Sequence, residues 1–303
     1  MAKANFDLGI NTGFALNRYS EPEEWIRIVA DDLELGVVQM TADLLNPDLP
    51  AKYRSTQVQK INRFCERYNV KITSTFTGMF TRVNHLSHPD LEVRRHWIDW
   101  YKRFVEQSAD LGAKAAGGHF GIQTLKDFND IRSRGERRKQ NIDAWHEIGE
   151  HARGFGITHL LWEPMSIGRE YGETIDSAKK LQLEVNDGAP LPTKMTIDVD
   201  HGDLMSSNQD DTDPIAWIHS FRDDTAQIHL KQSSRDKRSN GPFTRQFNTN
   251  GRIHPSEILS ALHSSDHSIK ELILEISFRE REPGDSTVVD QLKESVSHWR
   301  PFV

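Results

Sequence analysis

One cysteine, Cys65, is all the thiol the 303-residue chain carries. An internal disulfide is therefore excluded, and the amphipathic setting NRFCERY reads as a packed thiol on a helix rather than a nucleophile. No apolar run approaches the roughly 20 residues of a membrane-spanning helix. No basic-then-apolar segment opens the chain either. Positive charge is in deficit, with 38 Lys and Arg against 45 Asp and Glu and a formal net charge of −7. Phosphate backbones attract basic surfaces, so this balance argues against a nucleic-acid partner while leaving room for a local basic pocket. Low-complexity tracts and Pro/Gly-rich linkers are missing too, and residues 1–303 read as a single domain. These absences set the expectation of a cytoplasmic protein with neither a membrane nor a nucleic acid as partner.

What the chain does contain is an alternation of short apolar runs with amphipathic stretches. Runs at 6–10, 35–40, 71–77, 113–120, 157–162, 195–199, 226–230 and 272–276 have strand character. Between them lie segments with apolar residues at helical spacing, such as AKYRSTQVQKINRFCERYN and HPDLEVRRHWIDWYKRFVEQSADLG, the latter expected to turn Leu91, Trp97, Trp100, Tyr101 and Val105 inward. Eight strand–helix repeats favour an α/β fold of the (β/α)8 TIM-barrel type over a doubly wound sheet.

The second half of the chain adds chemistry to this pattern. The run LLWEPM ends in a carboxylate followed by proline, which cannot continue a ladder, so Glu163 falls where a strand gives way to a loop. TIDVDHGD, QIHLKQSSR and LILEISF repeat the device with Asp198, His229 and Glu275. In a (β/α)8 barrel the C-terminal strand ends converge on one mouth. Buried carboxylates gathered there need a cation to balance them. Two glutamates, an aspartate and a histidine suit one divalent metal ion, Mn²⁺ or Mg²⁺ foremost, with Co²⁺ and Zn²⁺ also compatible. Taken one at a time, each residue has a plainer reading as a cap, an ion-pair member or a satisfied core histidine; four successive strands doing the same thing is what favours the metal.

Other residues invite weaker readings. Asn11 closes the first strand in GINTG and either reaches the mouth or satisfies a turn. His119 ends the fourth strand in AAGGHFG, whose glycines would let a ligand approach. Trp162, Phe14 and Phe76 either wall a pocket or belong to the core. HEIGEH is not a zinc-protease signature, because His146 and His151 are separated by one residue too many. The stretch after the seventh strand is basic, with Lys231, Arg235, Lys237, Arg238 and Arg245 among Ser233, Ser234 and Asn240. Lys231 and Arg235 stand nearest the histidine and are the candidates to meet a substrate phosphate or hydroxyl, while Lys237 and Arg238 read as solvated charge.

WEP, IDVDHGD, IHLKQSSR with NTNGRIH downstream, and LILEISF together resemble the xylose isomerase-like (β/α)8 superfamily of sugar isomerases and epimerases. Its ketose 3-epimerase branch holds a metal with Glu, Asp, His and Glu, which match Glu163, Asp198, His229 and Glu275 here. The same branch places a histidine three residues after the aspartate and an arginine six after the histidine, where His201 and Arg235 stand. NTGFALNRY, TADLLNPDLP, FTRVNHL, WEPMSIGREYGET and FREREPGDSTVVD more narrowly resemble the tetrulose-phosphate racemases and epimerases of bacterial erythritol catabolism. The resemblance implies a sugar or sugar phosphate as partner and the homo-oligomers common in the superfamily, although no segment marks an interface. It implies that Glu163 and Glu275 exchange a proton with the carbon beside a ketose carbonyl, through an enediolate. Aldose–ketose isomerisation, or a lyase reaction on a related keto-acid, would use the same metal and enediolate. An abasic-site nuclease on the same barrel and a non-catalytic sugar-binding barrel remain the readings from other classes.

Overall fold

A computed structural model describes residues 6–234, 240–263, 269, 271–278 and 284–303. Eight strands, β1 (Asp7–Asn11), β2 (Val37–Thr41), β3 (Lys71–Phe76), β4 (Ala115–His119), β5 (His159–Glu163), β6 (Thr193–Asp198), β7 (Thr225–Leu230) and β8 (Glu271–Leu274), close a parallel barrel in sequence order. β1 pairs with β8 as well as with β2, so the sheet has no free edge. Parallel neighbours cannot be joined by tight turns, and each connection carries helix across the outside.

Local chemistry starts and stops these helices. The Asp90 carboxylate accepts from the Glu92 and Val93 amides and opens Leu91–Asp110. Ile98, Trp100, Tyr101, Phe104 and Val105 make the buried face of that helix. Leu91, expected inward, is 59% exposed, at the first position of the helix. Ala51–Tyr68 ends at Asn69 in the left-handed region (φ 54), a conformation asparagine tolerates. Pro214–Phe221 opens on Asp213, whose carboxylate accepts from the Ile215 amide, with proline at the first helical position. Two short helices unmarked by the apolar spacing, Leu125–Asn129 and Arg245–Asn248, lie in the connections after β4 and β7.

Behind β4 and β5 the core is aromatic. Phe120 stacks on Trp145 at 5.5 Å and meets Trp162 and Tyr171 edge-on. Trp162 donates its indole N–H to Gln182 on the helix Ile175–Asn186 and so faces away from the mouth, as core. Phe14 is buried in the core as well. Cys65 is buried on its helix, as the sequence suggested. Among the described residues, no helix is long and apolar enough to cross a membrane.

Candidate active site

Glu163 is the last residue of β5 and Asp198 the last of β6. His229 is the penultimate residue of β7, and Glu275 follows directly on β8. Consecutive staves of the barrel therefore deliver four donors to one rim, and their ligand atoms all lie within 4.8 Å of one another. His229 Nδ1 is 3.0 Å from Glu163 Oε1 and 3.4 Å from Glu275 Oε2. Asp198 Oδ1 accepts from the Asp200 amide at 2.7 Å, which turns Oδ2 toward the centre. Phe76 packs edge-on against the His229 ring at 5.1 Å and forms one wall.

Lys231 completes the cluster. Its side chain is 2% exposed, with Nζ 2.9 Å from Glu275 Oε2 and in contact with Asp198 Oδ2. Asp198 Oδ2 still accepts no well-directed hydrogen bond. Burial alone would drive the ammonium toward neutrality, but Asp198, Glu275 and Glu163 outweigh it and hold Lys231 charged. Burial likewise opposes a charge on His229, yet Glu275 and Glu163 lift its pKa to about 10. Burial raises the Glu275 carboxyl, but His229 and Lys231 bring it well below the ordinary carboxylate range. At Glu163, burial and Glu275 push upward, and His201 together with His229 prevails downward.

These charges bear on what the site can hold. Three carboxylates and one ammonium leave two negative charges, and a divalent cation with a neutral imidazole would balance them. An oxygen-rich set with one nitrogen, including a buried carboxylate oxygen short of a hydrogen bond, fits such an ion.

His201 borders the cluster, with Nδ1 2.9 Å from the Pro164 carbonyl oxygen and Nε2 3.6 Å from Asp198 Oδ2. Gly202 beside it has φ +116, and a Cβ there would stand 1.7 Å from the Asp211 carbonyl oxygen. His119 is in register with Glu163 on the neighbouring strand and 3.4 Å from Thr77 Oγ1. Burial pushes its imidazole below the ordinary value although Glu163 opposes this.

Several expectations change in the structure. The glycines before His119 serve strand packing rather than ligand approach: a Cβ on Gly117 would overlap the Leu161 carbonyl, and one on Gly118 would overlap Thr77, each at 1.8 Å. Asn11 is tied into the barrel, donating to Gln39 at 2.7 Å and accepting from the Gly13 amide at 2.8 Å. Its amide thus makes one hydrogen bond at each end, both within the barrel and its first turn. Lys231 lies among the carboxylates instead of on an open basic loop, and its charge is already neutralised there. Ser233 Oγ accepts from Arg252 at 2.9 Å. That arginine, from the NTNGRIH segment, also donates to the Val199 and Thr212 carbonyls and so clamps the loops after β6 and β7 together. Arg235, Lys237 and Arg238 lie outside the described residues.

Other residues at the site went unread in the sequence. Gln39 and Gln227 are buried polar residues inside apolar strands, and Gln39 Oε1 is 2.9 Å from His229 Nε2. The alternation Q-x-H in β7, which puts Gln227 and His229 on the same inner face, was the available signal. Glu170, 3% exposed, is paired with Arg82 and lies 3.3 Å from Arg169. Arg82 follows β3 and Glu170 follows β5, so this ion pair joins two loops at the C-terminal ends of the strands.

The xylose isomerase-like TIM barrel family matches residues 29–301. The chain belongs to that family. A D-erythrulose 1-phosphate 3-epimerase of Brucella abortus (strain 2308) is 43% identical over 297 residues, spanning 98% of this chain and 96% of the relative. A Rhodospirillum rubrum protein provisionally named a xylose isomerase superposes with a TM-score of 0.89 at 23% identity, over 99% of this chain and 100% of its own. D-psicose 3-epimerase of Clostridium cellulolyticum H10, solved with D-tagatose, superposes with a TM-score of 0.69 at 12% identity, over 98% and 99%. At these identities the two structures speak to the fold alone.

Proposed function

We propose that this protein is a sugar-phosphate epimerase that inverts the carbon beside the carbonyl of a short ketose phosphate, with erythrulose 1-phosphate the favoured substrate. The observation that carries the reading is the convergence of Glu163, Asp198, His229 and Glu275 within 4.8 Å at the mouth. The 43% identity to an erythrulose 1-phosphate epimerase supports it independently. In this reading the four side chains hold one divalent ion, Mn²⁺ or Mg²⁺, and the single barrel carries the whole activity.

A bound divalent ion would polarise the ketose carbonyl and stabilise the negative charge that develops on its oxygen. The protein's own part is proton transfer. One of Glu163 and Glu275 takes the proton from C3, the electron pair moves toward the C2 carbonyl oxygen, and an enediolate results. The other glutamate returns a proton to C3 from the opposite face, so the centre inverts. In this reading Glu163 and Glu275, on strands three positions apart around the barrel, take opposite faces of the substrate. Glu275, whose side chain is 26% exposed, faces the open mouth more than Glu163 at 5%. His229 and Lys231 keep Glu275 ionised, and His201 and His229 do the same for Glu163, so each is in the form that can accept a proton. In this reading His119 borders the substrate, and Arg82, half-exposed beside Glu170, meets the phosphate.

The test is solvent exchange. Protein loaded with Mn²⁺ is incubated in D₂O with one enantiomer of erythrulose 1-phosphate; after the ion is removed, product is read by proton NMR and by optical rotation. Deuterium at C3 with loss of optical activity is expected. A product with its carbonyl moved to another carbon would identify an isomerase instead.

A further inference from the structure

The interior of a (β/α)8 barrel is usually filled by layers of apolar side chains. Here a line of polar side chains runs along the axis, from the candidate metal site to the opposite end. Gln39 of β2, Ser74 of β3 and Gln227 of β7 are all buried, and Glu271, the first residue of β8, stands at the far end. Glu271 opens onto a cavity of about 830 Å³, lined also by Lys71, Lys114 and Lys194. Burial raises its carboxyl, and hydrogen bonds from Gln227 and Thr73 oppose that rise.

The line has a direction, because a carboxylate only accepts hydrogen bonds. The amide nitrogen of Gln227 must point toward Glu271, and it donates to Glu271 Oε2 and, at 2.8 Å, to Ser74 Oγ. Gln227 Oε1 is thereby turned the other way and accepts from Gln39 Nε2 at 2.9 Å. That in turn leaves Gln39 Oε1 facing the mouth. There it accepts from Asn11 Nδ2 at 2.7 Å, and Asn11 is itself oriented by the Gly13 amide donating to its Oδ1. The orientation of Gln39 is thus dictated from both ends. His229 Nε2, 2.9 Å from Gln39 Oε1, meets an acceptor and must carry its proton. The nitrogen left to act as a ligand is Nδ1, the one 3.0 Å from Glu163 Oε1.

We infer that Glu271 is a positioning residue for His229: through Gln227 and Gln39 it decides which imidazole nitrogen keeps a proton and which is offered to a metal ion. This rests on the reading of His229 as a ligand, and it goes beyond that reading by naming what sets the ligand's tautomer. If one amide in the chain reversed, a buried donor would face a donor or an acceptor an acceptor, so the setting passes along the chain as a unit.

The decisive experiment moves the carboxylate from one end of the line to the other. Glu271→Gln removes the obligatory acceptor, and Gln39→Glu places two acceptors against each other at Gln227. Each single change is expected to weaken Mn²⁺ binding, read by isothermal titration, by about tenfold, as substitutions behind a ligating histidine do. In the double variant Gln227 is free to turn over: its amide donates to one oxygen of the carboxylate introduced at position 39, its oxygen accepts from the amide introduced at position 271, and the other carboxylate oxygen accepts from His229 Nε2 without the acceptor–acceptor clash of the single variant. Mn²⁺ affinity is then expected to recover to within about threefold of the parent. A ¹⁵N spectrum of the Zn²⁺-loaded parent and double variant should show a protonated Nε2 and a metal-bound Nδ1 in both. A role of Glu271 in packing alone predicts no rescue from a change at position 39. Single variants that bind Mn²⁺ like the parent, or a double variant no better than the singles, would overturn the inference while leaving the metal site standing. If the parent itself binds no divalent ion, the ligand reading fails first and takes the inference with it.

Discussion

The Lys231 ammonium lies 2.9 Å from Glu275 Oε2 and touches Asp198 on its other side, so the carboxylate cluster contains a cation of its own. Truncating one partner of a buried ion pair leaves the other charge uncompensated, at about 3–5 kcal/mol. Lys231→Met should lower the stability of EDTA-treated protein by that order in urea titration. Added Mn²⁺ should restore part of the loss, because an ion at a hundred times its Kd contributes roughly 2.7 kcal/mol. A variant as stable as the parent in EDTA would show that the ammonium is not needed to hold the carboxylates together.

Glu163 and Glu275 are assigned the proton transfers, and each should be needed. Replacing either by glutamine removes the base while keeping the shape, and kcat should fall roughly 10²- to 10⁴-fold. Asp198→Asn should instead act first on Mn²⁺ affinity, which calorimetric titration separates from turnover. A rate within tenfold of the parent for either glutamate variant would remove that glutamate from the mechanism.

Arg82 pairs with the buried Glu170 yet remains 48% exposed at its side chain. Loss of a charge-assisted contact to phosphate is worth about 1.5–3 kcal/mol, so Arg82→Gln should raise KM for erythrulose 1-phosphate by roughly 10- to 100-fold. Arg82→Lys should recover part of that. Free erythrulose should be turned over with little change by all three proteins, and an equal loss on both substrates would place the phosphate elsewhere.

His85 bears on acid stability. Burial, assisted by His119, brings its imidazole down to about 3 from the ordinary 6.5. The unfolded chain therefore takes up a proton that the folded protein refuses, and stability is lost as pH falls from 6.5 toward 3. Above 6.5 this group contributes no further pH dependence. His85→Asn, an amide that suits the left-handed backbone there (φ 26), should melt with a shallower dependence on pH below 6.5. Parallel melting curves for the two proteins between pH 7 and 4.5 would refute the assignment.

Cys65 offers a probe of the helix that carries it. Burial pushes its thiol from 9.0 up to about 12, which cuts the reactive thiolate near neutral pH by three orders of magnitude. A thiol-specific chromogenic reagent should modify the folded protein far more slowly than the protein in urea. Fast labelling under native conditions would mean that the helix Ala51–Tyr68 opens locally.

The barrel and its rim were legible in the sequence for a simple reason: strand ends are punctuated. Pro164 marks where Glu163 leaves the ladder, and each of the eight strands starts or stops within two residues of its apolar run. Lys231 was harder to read. One residue past the end of β7 the alternation of faces no longer fixes direction, and a lysine in a basic stretch looks solvated until the neighbouring carboxylates are placed. Asn11 offered two readings in sequence, and its bonds to Gly13 and Gln39 show the turn and barrel part of it. Gln39 and Gln227 stayed silent because their partners are each other, from strands 188 residues apart in the chain. The arginine matched to a family substrate contact, Arg235, falls outside the described residues.

Gly202 sets a boundary for anyone wishing to re-engineer this mouth. With the Asp211 carbonyl where a methyl would have to go, any larger residue at 202 must displace that turn and drag His201 with it. Libraries aimed at longer ketoses should leave the arc after β6 untouched. Met79 and Phe80, which project freely on the connection after β3 at 68% and 63% exposure, are the better places to admit bulk, because no packed neighbour has to yield there.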